Sequence, residues 1–369
     1  MLGIYIHIPF CERKCTYCAF SSFAGQKGEI ENYLTHLQSE ITAFRLKNKQ
    51  KYLDVDTIFI GGGTPSLLEE NQIKNLFECL KNNFNIAQNC EITVECNPNS
   101  VTKEKLCCYK RLGVNRLSFG VQSFDDEQLQ FIGRLHSSRQ AKDIVCQAKE
   151  CGFDNISIDL LIGINKNKTA FENTITTALT LPISHISTYM LQVEENTPLF
   201  KMVSENKDLL PDDEMCIEMY SYASEVLQKN GFNKYEVSNF AKDGKECLHN
   251  VKYWTGEEYV GFGLASHSYL GGERSANANN FKDYYAGKKS LVEVLTTKQK
   301  IEEHIMLGLR CNRGIDINVL KNFGYDIEKN TQMKTYIEKG ILSQNENKIY
   351  LNPNFYGVNN FIIVSLLPE

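Results

Sequence analysis

The chain has 369 residues, of which 42% are hydrophobic and 23% are charged, and its formal net charge is −5. This composition is typical of a globular protein with one large and one smaller domain, and the lack of a basic excess argues against a general nucleic-acid-binding surface. No run of roughly 18–20 apolar residues predicts a membrane span, and residues 1–14 lack the basic start and the cleavage site of a secretory signal.

Six short runs rich in β-branched and aromatic residues predict strands, and the amphipathic segments between them, such as residues 28–46 and 71–84, predict helices. The predicted strands cover residues 3–10, 55–63, 91–98, 116–123, 155–163 and 185–193. This alternation is typical of a parallel sheet, either open and doubly wound or closed as a (β/α) barrel. Polar or glycine-rich motifs follow nearly every strand, which favours a barrel with its site on one rim, and six units predict a partial (β/α)6 TIM-type barrel in the α/β class.

Beyond residue 200 the pattern changes. Residues 211–231 predict a helix with Pro211 in its first turn and Gly231 past its end. Residues 233–242 predict a further strand. Residues 243–290 are rich in glycine and asparagine and predict loops, but their aromatic residues and histidines argue against a passive linker.

From residue 291 the sequence predicts helices followed by a hairpin around residues 345–347, which is typical of a small α-rich, winged-helix-like domain. Its nine basic and nine acidic residues cancel, so we expect a packing or lid module rather than a DNA-binding wing. The predicted division is residues 1–240 for the barrel domain, 241–290 for the connecting segment and 291–369 for the C-terminal domain.

Thirteen cysteines, an odd number, cannot all pair within one chain. Without a secretory signal we expect them in a reducing cytoplasm, where clustered cysteines indicate metal binding and scattered ones indicate core packing. Ten are scattered and are predicted to be structural: Cys79, Cys90, Cys96, Cys107, Cys108, Cys146, Cys151, Cys216, Cys247 and Cys311.

Cys11, Cys15 and Cys18 are clustered, separated by three and then two residues, in the loop predicted after the first strand. Structural zinc is one alternative, but it usually takes four ligands, and the sequence has no second Cys-x-x-Cys pair. His7 is the candidate for a fourth ligand, although strand alternation places it with Tyr5, facing the barrel interior. A [4Fe–4S] cluster held by three cysteines instead leaves one iron open to another molecule.

A strand precedes the triad, Tyr17 precedes its last cysteine, and "GGGTP" follows the next predicted strand. With these features the chain resembles the radical SAM superfamily. The resemblance implies that S-adenosylmethionine (SAM) binds the open iron, and that an electron from the cluster cleaves it to a 5′-deoxyadenosyl radical. It therefore also implies an electron donor among the partners.

Residues at the later strand ends are candidates for the rest of the SAM site. Gly62, Gly63 and Thr64 end the second strand, where glycines let the backbone approach a ligand closely. Asp159 lies in an apolar run, where a buried charge needs a partner such as the ribose hydroxyls. Arg134 suits the carboxylate of the methionine moiety. Each polar candidate can instead form a salt bridge or a helix cap within the protein.

The motifs "GIYIHIPFC", "GGGTPSLL", "GVQSFDD", "SIDLLIG" and "EVSNFA" occur in this order. Together they resemble the oxygen-independent coproporphyrinogen III oxidase-like group of radical SAM proteins, over nearly the whole chain. The resemblance implies that Cys11, Cys15 and Cys18 hold the cluster. It also implies that the following residues line the SAM site: Tyr5, Gly62, Gly63, Thr64, Glu95, Gln122, Arg134, Asp159 and Met190.

This group contains a dehydrogenase that oxidatively decarboxylates coproporphyrinogen III to protoporphyrinogen IX, and haem chaperones that hand haem to haem-requiring proteins. The dehydrogenase has a fourth cysteine two residues after the third, where this chain has Phe20, and an N-terminal extension ahead of the first strand, for which this sequence leaves no room. Both departures favour the chaperone. The dehydrogenase and a non-catalytic zinc-binding protein remain as alternatives.

The segment "HNVKYW" at residues 249–254 matches the element proposed to bind haem in the chaperone group. The resemblance implies His249 as the axial ligand of the haem iron, with Tyr253 and Trp254 packing against the porphyrin. His267 is the competing ligand. We therefore expect a cytoplasmic chaperone whose partners are haem and haem-requiring acceptor proteins of unknown identity. Peripheral contact with membrane haem proteins is compatible with this expectation, and nucleic acid is not an expected partner.

Overall fold

A computed structural model of the protein describes residues 1–48, 51 and 53–368. Its strands are β1 (Leu2–Ile8), β2 (Phe10–Cys11), β3 (Phe23–Ala24), β4 (Asp54–Gly62), β5 (Asn85–Cys96), β6 (Arg116–Gln122), β7 (Asn155–Ile162), β8 (His185–Met190), β9 (Asn233–Lys234), β10 (Asn239–Ala241), β11 (Tyr259–Phe262), β12 (His267–Leu270), β13 (Glu273–Asn277), β14 (Lys289–Val294), β15 (Ile315–Asp316), β16 (Leu342–Asn345) and β17 (Lys348–Leu351). Its α-helices are α1 (Ile30–Lys47), α2 (Glu70–Asn83), α3 (Lys103–Leu112), α4 (Asp126–Phe131), α5 (Ser138–Glu150), α6 (Lys168–Leu179), α7 (Pro198–Glu205), α8 (Asp213–Lys229), α9 (Leu248–Thr255), α10 (Phe281–Tyr285), α11 (Thr297–Gly308), α12 (Ile317–Asn322), α13 (Thr331–Glu338) and α14 (Asn359–Val364).

Six parallel strands form the middle of a twelve-stranded sheet, side by side in the order β1-β4-β5-β6-β7-β8. This is also their order along the chain, so these strands wind in one direction, whereas a doubly wound sheet reverses its order at a switch point. The predicted partial barrel of six βα units is therefore confirmed. The strands begin and end close to the predicted bounds, and the largest difference is at β5, which begins at Asn85 rather than at residue 91.

Side-chain alternation along the strands separates the core from the barrel interior. In β1, Ile4 and Ile6 are fully buried in the core that the sheet shares with the surrounding helices, whereas Tyr5 and His7 line a cavity inside the barrel. The helices contribute apolar residues spaced three or four apart, which form one face of a helix. In α1 these buried residues are Ile30, Tyr33, Leu34, Leu37 and Ile41.

The sheet continues beyond both ends of its six-stranded part. β11 pairs in parallel with β1, with Gly3 opposite Tyr259, and β12, β13 and β14 follow as antiparallel neighbours. On the other side β10 and β9 add antiparallel strands next to β8. Within the described residues β14 and β9 are the two edges of this sheet, so the barrel is open. Residues 243–290 are more regular than their glycine and asparagine content predicts, because β1 provides a partner for β11.

The residues after β14 form a second, smaller core. Helices α11, α12 and α13 pack with the three-stranded sheet β15-β17-β16, and β16 and β17 form the predicted hairpin across residues 346 and 347. This is the winged-helix-like arrangement that the sequence predicts. Backbone hydrogen bonds join it to the barrel: the N–H of Val237 donates to the carbonyl of Arg310 at 3.1 Å, and that of Asn312 to Tyr235 at 2.8 Å. The three-domain division at residues 240 and 290 stays a prediction.

The scattered cysteines behave only partly as predicted. Five are buried free thiols, as expected of small core residues: Cys90, Cys96, Cys108, Cys247 and Cys311. Cys107 and Cys151 instead form a disulfide, and Cys146 is exposed, so the prediction of core packing is wrong for these three. The disulfide arises because α3 packs against α5, which brings the two Cα atoms to 5.3 Å although 44 residues separate them.

Among the helices in the described part of the chain, none combines the length and the apolar character that crossing a bilayer requires.

Candidate functional site

The cysteine triad lies in the loop that follows β1, at the carboxyl end of the parallel strands. Cys11 ends β2, whose parallel pairing with β3 closes the loop. Thr16 anchors the middle of the loop, because its N–H donates to the carbonyl of Ile132 at 3.1 Å and its carbonyl accepts from the N–H of Leu199 at 2.9 Å. All three cysteines are free thiols of intermediate burial, neither enclosed in the core nor fully exposed.

Two side chains contact the sulfur atoms of the triad. Arg134 Nη1 donates to Cys15 Sγ at 3.5 Å, and Thr64 Oγ1 donates to Cys11 Sγ at 3.6 Å. Burial raises the pKa of the third thiol, Cys18, so this thiol needs a bound metal to replace its proton.

The segment around Arg134 is held against the cysteine loop. Arg13 Nη2 donates to the carbonyl of Gly133 at 2.7 Å and to that of Arg134 at 3.0 Å, and Arg134 Nη2 donates to the carbonyl of Gly120. The Nε of Arg134 is buried and has no hydrogen-bond partner among the described residues. An unpaired buried N–H is costly, so this position suits an acceptor such as a ligand carboxylate.

Gly62 and Gly63 bring the backbone close to the triad. A side chain at Gly62, whose φ is +114°, would meet the ring of His7 at 2.7 Å. A side chain at Gly63 would meet the carbonyl oxygen of Phe10 at 2.7 Å and Cys11 Sγ at 3.0 Å. The two glycines therefore leave a backbone cradle beside Cys11 that a side chain would fill.

The barrel interior contains two neighbouring cavities that share Tyr5, Glu95 and Tyr253. The inner cavity, of about 220 Å³, also contains Asp159. The mouth cavity, of about 370 Å³, borders the cysteine loop and also contains Gly62. Four of the residues predicted for the SAM site, Tyr5, Gly62, Glu95 and Asp159, thus line connected space next to the triad.

Burial raises the pKa of both carboxyl groups in the inner cavity. The pKa of Glu95 rises to about 8, first through burial and then through the charge of Asp159, and burial also raises the pKa of Asp159. Glu95 Oε2 accepts from the N–H of Gly62 at 2.9 Å, and Asp159 Oδ1 accepts from Ser118 Oγ at 3.4 Å. At neutral pH Glu95 is mainly protonated, so it can donate a hydrogen bond to a ligand as well as accept one.

Two further predicted SAM contacts lie at strand ends outside these cavities. Gln122 ends β6 with a φ of +71°, which is unusual for a residue with a side chain. Gln122 and Arg134 are neighbours, because both approach Gly120. A Cβ atom at Gly120 would lie 3.1 Å from Gln122 Nε2 and 3.3 Å from Arg134 Nη2. Met190 ends β8 and is 36% exposed. Contact of these residues with SAM stays a prediction.

His249 begins α9 and faces the inner cavity. The N–H groups of Leu248 and His249 donate to the carboxylate of Glu91 at 3.0 Å, which fixes the start of the helix. His249 Nδ1 lies 2.9 Å from Thr57 Oγ1, and its Nε2 lies 2.9 Å from the hydroxyl of Tyr253. Burial lowers the pKa of His249 to about 3. The imidazole is therefore neutral, and both of its nitrogens are already hydrogen-bonded.

Trp254 lies on a different side of α9 from His249. It lines a separate groove of about 320 Å³, together with residues of α11 and α12, and does not border the two barrel cavities. His249 and Tyr253 share a helix face because they are four residues apart, whereas Trp254 is rotated away from that face. Tyr253 lines this groove as well as the two barrel cavities, so the predicted haem-packing pair shares a surface only in the groove. The haem contacts of this segment stay a prediction.

Sequence reasoning missed several polar residues of the inner cavity: Arg116, Ser118, Ser187 and Tyr189. Arg116 is 2% exposed at the start of β6, and its Nε has no partner among the described residues. The sequence does contain a signal for Arg116. Like Asp159, it is a charged residue within a predicted buried strand, where a charge without a partner is costly. Glu91 was also missed, since its contact with α9 depends on residues far away in sequence.

The kind of metal group that the triad holds stays a prediction. In the part of the chain that the structure describes, no three His, Cys, Asp or Glu side chains converge as a site for one metal ion. His7, the fourth zinc ligand considered, has both ring nitrogens engaged, by the Tyr5 hydroxyl at 3.0 Å and the Ser21 carbonyl at 2.9 Å. Three free thiols beside an arginine and a glycine cradle fit a larger polynuclear group with a position left for a ligand.

Comparison with known proteins agrees with this geometry. Residues 5–178 match the radical SAM superfamily, and residues 295–354 match the HemN C-terminal domain. The structure of coproporphyrinogen III oxidase (HemN) from Escherichia coli, a radical SAM enzyme, superposes with a TM-score of 0.84 at 21% identity, covering 99% of this chain and 89% of that one. At this identity the likeness shows the fold. The fold and the cysteine loop together define a radical SAM protein.

Relatives in sequence define the family within this class. Heme chaperone HemW of Bacillus subtilis is 38% identical over 362 residues, covering 95% of each chain. Heme chaperone HemW of Lactococcus lactis is 33% identical over 371 residues, covering 98% of this chain and 96% of that one. A mitochondrial radical S-adenosyl methionine domain-containing protein 1 of Danio rerio is 32% identical over 329 residues, covering 85% and 73%. This chain belongs to the HemW family of radical SAM proteins.

Proposed function

We propose that this protein is a haem chaperone that binds haem at the open end of its barrel and delivers it to haem-requiring acceptor proteins. In this proposal Cys11, Cys15 and Cys18 hold a [4Fe–4S] cluster, and SAM binds beside it. The observation that carries the proposal is the pair of neighbouring cavities, with shared walls, between the cysteine loop and the barrel interior of a HemW-family chain.

One unpaired nitrogen and several polar groups near the triad support the cluster and SAM. When bound, the cluster supplies an electron and an open iron on which SAM is held. The free Nε of Arg134 suits the carboxylate of SAM, the cradle of Gly62 and Gly63 suits its amino group, and Asp159 suits its ribose hydroxyls. Glu95 fixes this cradle through its contact with the N–H of Gly62.

The mouth cavity supports the binding of a flat apolar ring. Phe20 is 72% exposed there, and Tyr253 and Tyr259 line the same cavity with their rings 4.6 Å apart. Aromatic side chains pack well against planar rings such as a porphyrin. The segment 249–254 forms part of the wall through Tyr253, and His249 remains its predicted iron ligand.

Coproporphyrinogen dehydrogenation is the second candidate, favoured by the fold match to HemN. Phe20 argues against this candidate, because the family resemblance implies that the dehydrogenase has a further cysteine at this position. Here an exposed apolar ring borders the mouth cavity instead.

The proposal includes a cellular setting and partners. We place the protein in the cytoplasm, a reducing compartment that keeps the thiols of a cluster free of disulfides. An electron donor for the cluster and haem-requiring acceptors, membrane haem proteins among them, complete the set of partners.

The test is anaerobic reconstitution with iron and sulfide, followed by haem titration and a coproporphyrinogen assay on the same preparation with SAM and reductant. We expect about four irons per chain, binding of one haem, transfer of that haem to an apo-haem protein, and no protoporphyrinogen. Cys11→Ser, Cys15→Ser and Cys18→Ser should each lower the iron content, whereas Cys79→Ser, a partly buried thiol outside the loop, should not. Turnover of coproporphyrinogen would establish the dehydrogenase, and zinc without iron–sulfur absorption would establish the zinc protein.

A further inference from the structure

Three histidines border the two barrel cavities, and they differ in whether a ring nitrogen is free. His7 uses both nitrogens, for the Tyr5 hydroxyl and the Ser21 carbonyl. His249 also uses both, for Thr57 and Tyr253. His267 lines the mouth cavity from β12 and is exposed, and no residue in the described ranges hydrogen-bonds its imidazole.

We propose that His267, rather than His249, supplies the axial nitrogen to the iron of a haem held at the outer side of the mouth cavity, beside Phe20 and Tyr259. SAM would then keep the inner side, where Tyr5, Gly62 and Glu95 lie. This inference rests on the proposed haem-carrying function, and it assigns the iron ligand within that function. His249 then acts as a positioning residue that holds the hydroxyl of Tyr253 at the boundary between the two cavities.

Ligation through His249 would be costly in this fold. One of its two hydrogen bonds would have to break, which would leave the hydroxyl of Thr57 or Tyr253 without its partner in a buried site. The ring is also 1% exposed and stacks on Phe59, with ring centroids 5.5 Å apart. The iron would have to enter the inner cavity, which is smaller than the mouth cavity.

His267 meets the requirements of a haem ligand without rearrangement. Its strand is fixed by pairing with β13, where His267 lies opposite Ala276, so the ring is presented from a rigid element. Neither ring nitrogen has to give up a hydrogen bond.

The surroundings of His267 match the rest of a haem. Phe20, Tyr253 and Tyr259 line the same cavity and offer apolar ring surface to a porphyrin. Lys14 is exposed, and its Nζ donates to the carbonyl of Phe20 at 3.1 Å. Lys14 itself lines another cavity, but this contact puts an ammonium group next to the backbone of a residue of the mouth cavity, within the range at which a propionate carboxylate attracts it.

The experiment is a haem titration of the full chain followed by absorption and electron paramagnetic resonance spectroscopy. His267→Ala should lower haem affinity about tenfold or more and remove the spectroscopic signature of histidine ligation. His267→Met, which offers a thioether at the same position, should retain haem with a changed spectrum and a raised reduction potential. His249→Gln, which removes the second candidate imidazole, should keep the spectroscopic signature of histidine ligation even where its effect on Tyr253 changes the haem affinity. The matched control is His36→Ala on α1, a histidine that packs against Tyr284 and Tyr285 away from the cavities and should leave the titration unchanged.

The outcomes separate this inference from the function on which it rests. If the wild-type protein takes up no haem, the proposed function fails and the assignment fails with it. If the wild type binds haem, and folded His267→Ala gives the same affinity and spectrum, the proposed function stands and the assignment to His267 is wrong. Loss of histidine ligation in His249→Gln alone would return the ligand to His249. Circular dichroism of each variant establishes that it is folded.

Discussion

At Glu95, burial and a backbone contact act on one carboxyl group in opposite directions. Burial, followed by the charge of Asp159, raises its pKa to about 8, while the hydrogen bond from the N–H of Gly62 lowers it. Burial prevails, so the neutral acid is the form that the fold favours. The same carboxyl holds the glycine cradle beside Cys11, so its protonation is coupled to the geometry of the candidate SAM site.

Replacing Glu95 should therefore alter how stability depends on pH. Between about pH 4.5 and 8 the folded state keeps a proton on Glu95 that the unfolded state releases, so the stability contributed by this group falls as pH rises. We therefore compare the free energy of unfolding of Glu95→Gln with that of the wild type, by urea denaturation of the apo-protein. The difference, variant minus wild type, should be larger at pH 8 than at pH 5 by about 2–4 kcal/mol.

The control for this measurement is Glu225→Gln on α8. Lys229 lowers the pKa of Glu225, so this carboxyl is ionised in the folded and unfolded states throughout pH 5–8 and should give no such difference. An equal effect of Glu95→Gln at both pH values would show that burial does not determine the protonation of Glu95.

Single-residue features were predictable where the signal is local in sequence. The triad could be identified because its three-then-two spacing lies within one loop, and its free thiols and arginine neighbour agree with a cluster site. The environment of His249 could not be predicted, because its ring contacts Thr57 on β4, far away in sequence, and Tyr253, one turn along α9. Spacing in sequence carries no information on whether a histidine nitrogen is already occupied.

At the scale of elements, α9 is tied to the barrel by one buried ammonium group. Lys252 Nζ contacts Asp56 Oδ1 at 3.1 Å, Glu257 Oε2 at 2.9 Å and the carbonyl of Met1 at 3.1 Å. Its side chain is 4% exposed, whereas those of Asp56 and Glu257 are 28% and 50% exposed. Removing the lysine leaves a partly buried carboxylate without its partner and takes away one of the contacts that hold α9 on the barrel.

We expect Lys252→Met to lower the free energy of unfolding by about 2–4 kcal/mol, because breaking a buried ion pair leaves its partner uncompensated. The exposure of Glu257 keeps the effect below that of a fully buried pair. Lys229→Met is the matched control, since its pair with Glu225 is exposed on both sides and exposed pairs contribute little to stability. Similar midpoints for the two variants in urea would contradict the role assigned to Lys252.

The six parallel strands were predictable because each carries its own apolar run, and the hairpin of β16 and β17 because its turn is local. The additional strand β11 was not predictable, since it forms by pairing with β1, where Tyr259 lies opposite Gly3 near the start of the sequence. Short strands such as β12 and β13 depend on such partners and carry too little apolar pattern to stand out. The position of His267 on the cavity wall follows from this distant pairing.

For the whole molecule, buried neutral histidines set a limit on acid stability. Burial lowers the pKa of His249 and of His136 to about 3, and that of His185 falls well below its ordinary value. His185 bridges Ser157 Oγ at 2.7 Å and the hydroxyl of Tyr235 at 2.8 Å. Each of these rings resists protonation in the folded state but accepts a proton once the chain unfolds.

Stability from these groups is fully present above the unfolded pKa of about 6.5 and is lost as pH falls towards 3. We expect the wild type to lose up to about 2 kcal/mol per buried histidine by pH 5. In the wild type, His136 Nε2 donates to the carbonyl of Val121 at 3.0 Å. His136→Gln keeps a donor for this carbonyl but has no imidazole to protonate, so its free energy of unfolding should fall less than that of the wild type between pH 7 and pH 5. Urea denaturation at pH 7 and pH 5 measures both proteins, and parallel losses would rule out this source of acid sensitivity.

The barrel has only six βα units, and its sheet keeps two free edges in the described residues even though β11 adds a further parallel strand beside β1. A closed eight-stranded barrel fills its interior with layers of side chains, whereas this one retains connected space that opens at Phe20 and His267. A molecule held at such an opening can depart without any pair of strands separating. Its residence time is then governed by a coordinate bond and a few ring contacts rather than by the unfolding rate of the scaffold. A docked acceptor that competes for those few contacts can accelerate departure while the scaffold stays intact.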